Sequence, residues 1–183
     1  NVDLLSELIG VGIKCLEDTL NTVLRRSVCG GYIVVLQTNG RSGSYNPHLH
    51  IIMTSGGVAK NRQGGWYWVK LKYLPYELLH KKWQYHLFKM FKEQVPTEEM
   101  RAKIDRLYGK YPNGLVANIQ KGQVPKRIRD LARYLAKYVV SPPISIRRIV
   151  SYDGQRVKYW YNDHKSGKRK LEEVDVFTFI GRM

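Results

Sequence analysis

Asn46-Pro47-His48-Leu49-His50-Ile51-Ile52 is the stretch on which the fold turns. On a strand, alternate residues share a face, so the two imidazoles project together while Leu49, Ile51 and Met53 point into the opposite, apolar layer. Two convergent imidazoles are a natural pair of metal ligands. Alone, such a pair on a strand is more often incidental. Upstream, the short β-branched run 31–38 reads as a buried strand, and the polar, glycine-bearing loop 39–46 joins it to the apolar run 48–54. Two strands so joined make an antiparallel pair.

Outward from that pair, 64–69 reads as a third strand after a turn. Residues 2–26 repeat apolar side chains at helical spacing from Leu4 to Val23. A second helix is expected over 75–94, with Pro75 at its first turn. A third opens at Thr97, with its hydroxyl as N-cap and the acids Glu98 and Glu99 in the first turn. A short strand is expected over 115–119. A helix over 126–140 must stop before Pro142-Pro143. The turn Asp153-Gly154 joins 144–152 to 157–161 as a hairpin, and 174–183 reads as the start of a helix. Strands early, helices in the middle and a late hairpin give an α+β sandwich, a central antiparallel sheet flanked by helices.

The length of 183 residues fits a single domain over 1–183. A start at Asn1, without methionine or secretory pattern, reads as that of a fragment with further segments expected on either side. Cys15 and Cys29 are too few and too isolated for a disulfide scaffold or a zinc site, and they fit a cytoplasmic protein with structural thiols. No run is apolar enough for a membrane span. Thirty-one Lys and Arg against fifteen Asp and Glu give a net charge of +16, a field suited to a polyanion. Lys121, Lys126, Arg127, Arg129, Arg133 and Lys137 crowd one segment, and Arg147 and Arg148 follow. Nucleic acid is the expected partner, contacted through phosphates. Trp66, Tyr67 and Trp68 read either as core or as a platform for unpaired bases, and His80 and His86 as surface or packing residues.

Within that basic segment, Tyr134 and Tyr138 stand four residues apart, about 40° from each other on a helical wheel. Ile128, Leu131, Leu135 and Val139 form the apolar stripe, with the tyrosines at its edge and Arg133 and Lys137 toward solvent. A nucleophile needs that placement, held by the core with its hydroxyl toward a substrate. Packing at the rim of a sheet would use the same pattern.

A strand with two histidines around a hydrophobic residue, followed by a helix with two tyrosines, resembles the HUH endonucleases. The wording Asn46-Pro47-His48-Leu49-His50-Ile51-Ile52 with Ser55-Gly56-Gly57 is similar to the two-tyrosine rolling-circle transposases of the IS-ninety-one-like insertion sequences. So is Tyr134-Leu135-Ala136-Lys137-Tyr138 with Pro142-Pro143-Ile144, Arg147-Arg148-Ile149 and the late Asp153-Gly154 hairpin. The resemblance runs from about residue 29 to the end. The cysteine-rich zinc module that precedes this domain in the family is absent from the sequence.

The resemblance implies an HUH endonuclease-like fold of RRM or palm type. It implies one divalent ion, Mg²⁺ or Mn²⁺, held by His48, His50 and a third polar side chain. Gln37, at the end of the preceding strand, is the candidate, with Asp153, Asp163 and His164 as alternatives. It implies that Tyr134 or Tyr138 attacks single-stranded DNA at transposon ends, leaving a 5′-phosphotyrosine link and needing no nucleotide cofactor. A free phenol is only about one part in a thousand ionised at neutral pH, so a cation such as Lys137 would assist. A replication initiator or relaxase shares this chemistry. A non-catalytic basic nucleic-acid-binding domain is the reading from a different class.

Overall fold

In a computed structural model, residues 2–40, 42, 44–119, 125, 127–139, 144–163 and 166–182 are described, with backbone alone for Val2 and 137–139. Contacts group the chain into two compact units, Asn1–Val34 with Ile51–Lys121, and Val35–His50 with Gly122–Met183. Both sheets are three-stranded and antiparallel, so the α+β class holds, with the strands divided between β1-β2-β3 and β4-β5-β6.

The first unit is built on α1 (Val2–Leu24) and α2 (Tyr76–Gln94). Cys15, Leu16 and Leu20 form the buried stripe of α1. The buried hydroxyl of Thr19 is satisfied by donating to the Cys15 carbonyl at 2.7 Å, a bond that keeps a polar group tolerable inside a helix packing face. After Leu24, Arg25 adopts φ 51°, a left-handed turn that ends the helix. Across from it, Asp18 takes the Lys82 ammonium at 2.6 Å and His86 Nε2 at 2.9 Å, which ties α1 to α2 and accounts for a buried histidine. Thr97 caps α3 (Glu98–Lys110) by accepting from the Met100 amide, as its sequence indicates.

The strands β1 (Cys29–Asn39), β2 (Tyr45–Lys60) and β3 (Trp66–Lys70) pair in chain order. Ile51 and Met53 of β2 join Tyr32 of β1 over Cys15, Leu16 and Leu79. Ala59, Val69 and Leu71 close a second cluster over Leu20 and Val28. Two glycines at the centre of this sheet are obligatory. A side chain at Gly57 would meet the Cys29 carbonyl at 2.7 Å, and one at Gly56, where φ is +147°, would run into the Val69 carbonyl.

The segment 115–119, expected as a strand, pairs with no strand among the described residues. Its polar backbone is used by α2 instead: the Leu115 amide donates to the His80 carbonyl, His80 Nε2 lies 3.0 Å from the Ala117 carbonyl, and the Tyr76 hydroxyl donates to the Ile119 carbonyl. Gly114, at φ +91°, makes the close approach to the His80 backbone.

In the second unit, α4 (Ile128–Val139) is followed by a 3₁₀ turn (Ile146–Arg148), β4 (Ile149–Tyr152), β5 (Arg156–Asn162), β6 (Arg169–Asp175) and α5 (Val176–Gly181). Asp153 Oδ1 accepts from the Gln155 and Arg156 amides, and Gly154 sits at φ +96°, which forms the β4–β5 turn. Sequence reading anticipated neither β6 nor the exposure of Ile128. That residue is 86% exposed, so the apolar side of α4 begins at Leu131. Ile144, Val157, Tyr159 and Phe179 form the core of this unit. The Tyr159 hydroxyl lies 2.8 Å from the Ser42 carbonyl and 3.0 Å from Glu172, and it accepts from Arg182, which also pairs with Glu172 at 2.8 Å. Burial, with the hydrogen bond to Glu172, pushes this phenol up to about 12. Among the described residues no helix is long and apolar enough to cross a membrane.

Burial alone would raise the Asp18 carboxyl, but hydrogen bonds from Lys82 and His86 outweigh it and hold the group below its ordinary value. A depressed carboxyl stabilises the fold above its unfolded pKa of about 3.9 and loses that contribution as pH falls through the folded value. Because the carboxylate is 41% exposed, a discounted effect is expected. Asp18→Asn lowers Tm at pH 7 by about 2–4 °C. The gap from the parent narrows as melts are repeated toward pH 3, and a gap that stays constant would contradict this coupling.

Candidate active site

The strand β2 begins with Tyr45-Asn46-Pro47 and brings both histidines to the end nearest the β1–β2 loop. His48 Nδ1 lies 2.7 Å from the Asn46 carbonyl two residues back. A carbonyl only accepts, so Nδ1 carries the proton and the Nε2 lone pair is left for a ligand role. His50 Nε2 lies 3.0 Å from Gln37 Oε1 on the neighbouring strand β1. The two imidazole rings are 5.0 Å apart between centroids and inclined at 68°. Burial, and then the neighbouring His48, hold His50 below its ordinary pKa. It therefore stays neutral at pH 7, the form that binds a cation.

Two imidazole nitrogens and an amide oxygen make a donor set suited to a divalent ion with open positions. Gln37 Oε1 only accepts, so in this contact His50 Nε2 donates, and holding an ion there would replace that hydrogen bond with coordination. Among the described residues no group of three His, Cys, Asp or Glu comes together, and Gln37 is a polar side chain that meets His50. The alternatives are otherwise engaged or not described. Asp153 caps its turn. Asp163 accepts from Ser166 and takes Lys170 at 3.1 Å, and these hydrogen bonds hold its carboxyl at about 2. His164 lies outside the described residues.

The second motif stands on α4. Tyr134 is half-buried, as are Leu131 and Leu135, while Arg127, Arg129 and Arg133 are exposed. Tyr138 and Lys137 are on the same helix, but their side chains lie outside the described residues, as do Lys121 and Lys126 entirely. Arg147 is exposed; the Arg148 guanidinium lies 5.6 Å from the Trp160 ring centroid, and that of Arg169 at 3.9 Å. Sequence reading missed this pairing of two arginines with one indole. Arg169 reaches Trp160 only because β6 pairs with β5, in the register Trp160 opposite Leu171 and Asn162 opposite Arg169.

Residues 31–183 match the family model described as "Putative transposase", a span that includes both the histidine strand and the tyrosine helix. The chain belongs to this transposase family, as the resemblance of its two motifs implies. It is similar to the transposase for insertion sequence element IS801 of Pseudomonas savastanoi pv. phaseolicola, with 28% identity over 179 residues. That match covers 91% of this chain and 42% of the relative, so the chain spans about two fifths of the relative's length. No solved structure matches it.

The geometry generates a metal-binding test that does not need activity. Calorimetric titration with Mn²⁺ is expected to show His50→Ala and Gln37→Ala weakening binding by about tenfold or more, equivalent to about 1.4 kcal/mol. For the parent, affinity falls as pH is lowered, because protons compete with the ion for imidazole nitrogen. Wild-type affinity in Gln37→Ala would remove Gln37 from the ligand set.

Proposed function

We propose that this chain carries the catalytic centre of a transposase that cuts and rejoins single-stranded DNA through a covalent tyrosine link. The observation that carries the reading is the meeting of His48, His50 and Gln37 at one end of the β1–β2 pair, in a chain whose tyrosine helix falls within the same family match. The expected ion is Mg²⁺ or Mn²⁺, and when bound it supplies charge neutralisation at the scissile phosphate. The Asn46 carbonyl orients His48, and Gln37 orients His50, so both rings are positioned before substrate arrives.

The hydroxyl oxygen of Tyr134 or Tyr138 attacks phosphorus. A bond forms between tyrosine Oη and the phosphate, and the bond to the 3′-oxygen breaks. The phenolic proton is lost to solvent, and the departing 3′-oxygen takes up a proton. The 5′-phosphate stays on the tyrosine, so the energy of the phosphodiester is kept and rejoining needs no nucleotide cofactor. Lys137 contributes positive charge beside the two tyrosines in sequence, which favours the phenolate. Two tyrosines allow two broken ends to be held at once. Lys121, Lys126, Arg127, Arg129, Arg133, Arg147 and Arg148, joined by Arg169, contact phosphates. The setting is the bacterial cytoplasm, and the substrate is the ends of the insertion element.

Single-stranded oligonucleotides spanning both ends of the element, incubated with the protein and Mn²⁺, are expected to give a protein–DNA band on a denaturing gel. Removing Mn²⁺, His48→Ala, or Tyr134→Phe with Tyr138→Phe abolishes the band, and the single tyrosine variants identify the first nucleophile. Folded protein that binds both ends without ever forming the band would favour a non-catalytic binding domain instead.

A further inference from the structure

We propose that the outer face of β3 in the first unit is a stacking platform for unpaired bases of single-stranded DNA, built on Trp66 and Trp68. The register of β2 with β3 sets opposite one another Val58 and Trp68, Ala59 and Tyr67, and Lys60 and Trp66. Ala59, Val69 and Leu71 pack inward over Leu20 and Val28. By alternation, Trp66, Trp68, Val58 and Lys60 face the other way. An outward sheet face is ordinarily polar. Here Trp66 is 64% exposed and Trp68 51%. Two large indoles held in water on a short, regular strand mark a binding surface.

Charge selects the occupant. No acidic residue occurs anywhere between Asp18 and Glu77, a stretch that includes all of β1, β2 and β3, whereas Arg25, Arg26, Lys60, Arg62, Lys70 and Lys72 do. The Lys60 ammonium sits 4.9 Å from the Trp66 ring centroid. Tyr67, opposite Ala59, faces the other side of the strand, where Arg26 donates to its hydroxyl at 3.0 Å at a cleft of about 520 Å³ that Glu17, Lys60 and Trp66 also line. Aromatic faces flanked by cations, with no carboxylate on the strands, complement a ligand that is flat and apolar in one part and anionic in the next. A nucleic-acid strand has that alternation, base then phosphate.

Spacing selects the single strand. Side chains two apart on a strand are separated by roughly 6.6 Å along it, about twice the 3.4 Å step of duplex bases. Bases laid on both indoles are therefore splayed apart, which a paired and stacked duplex does not allow. Trp66 and Trp68 thus take consecutive or nearly consecutive unpaired bases, and Lys60 lies near the phosphate between or beside them.

The proposal takes its ligand class from the single-strand reading above and owes nothing to the tyrosine chemistry, so binding is measured where that chemistry is off. In the full chain carrying Tyr134→Phe and Tyr138→Phe, with EDTA present, a fluorescein-labelled 20-mer of deoxythymidylate and a mixed-sequence duplex of the same length are titrated by anisotropy. The 20-mer is expected to bind more tightly than the duplex and to quench tryptophan fluorescence. Adding Trp66→Ala or Trp68→Ala weakens 20-mer binding by between about 5-fold and 150-fold each, and duplex binding much less. Should an alanine variant lower Tm, Trp66→Phe with Trp68→Phe keeps flat rings and retains most of the affinity, while Lys60→Gln weakens it. Unchanged 20-mer affinity in the alanine variants, or equal loss for both DNAs, overturns the platform. So does a wild-type dimer that the alanine variants dissociate in sedimentation, which would make a second copy of the chain the occupant. A metal-dependent covalent band from the unmodified chain, seen alongside unchanged binding by the alanine variants, leaves the catalytic proposal standing while this one falls.

Discussion

The parity of residues along β2 is the constraint on which the rest depends. Ile51, Met53, Gly57 and Ala59 all fall on odd positions and are inward-facing or buried, the apolar ones packed over helix α1. His48, His50, Val58 and Lys60 fall on even positions of the same strand. A slip of one residue would press two imidazoles into the apolar layer and bring isoleucine and methionine to the histidine face. The glycines at 56 and 57 guard against that slip, because only a strand lacking side chains there can lie so close to the Cys29 and Val69 carbonyls. The two histidines and the residues that hold the sheet together therefore lie on one continuous piece of chain.

Several polar side chains of the fold are held by partners, whereas the buried Tyr32 hydroxyl on β1 meets none among the described residues. Asp18 gathers Lys82 and His86 between α1 and α2, and Glu172 with Arg182 surrounds the fully buried ring of Tyr159. In the second unit the Tyr159 hydroxyl also reaches the Ser42 carbonyl, in the loop that joins Gln37's strand to the histidine strand. That hydrogen bond anchors the loop to the core of the unit.

Much of this was legible in the sequence because the strongest signals are local. Alternation around His48 and His50, the Thr97 cap, the Asp153-Gly154 turn and the proline before α2 each fix their element through nearest neighbours. Failures arose where distant partners decide. The run 115–119 has strand-like composition, yet its backbone bonds to α2. The segment Arg169–Asp175 is charged and reads as loop, yet β5 draws it into a sheet. Ile128 continues an apolar stripe in sequence but lies exposed at the first turn of its helix. Gln37 was one of several polar candidates, and its contact with His50 depends on a cross-strand register that sequence spacing alone leaves open. Trp66 and Trp68 illustrate the same limit: tryptophan on a strand suggests core, and only the packing of Ala59 and Val69 over Leu20 and Val28 on the other face turns the indoles outward.

The central claim is that a tyrosine of α4 becomes bonded to DNA. Mass spectrometry of the covalent product tests it most directly, after nuclease trimming of the DNA and tryptic digestion, since cleavage after Arg133 and Lys137 separates Tyr134 from Tyr138. The account predicts a nucleotide phosphate mass on the peptide 134–137 or on the one beginning at Tyr138, and on no other. A nucleotide adduct on any residue outside α4 would contradict it.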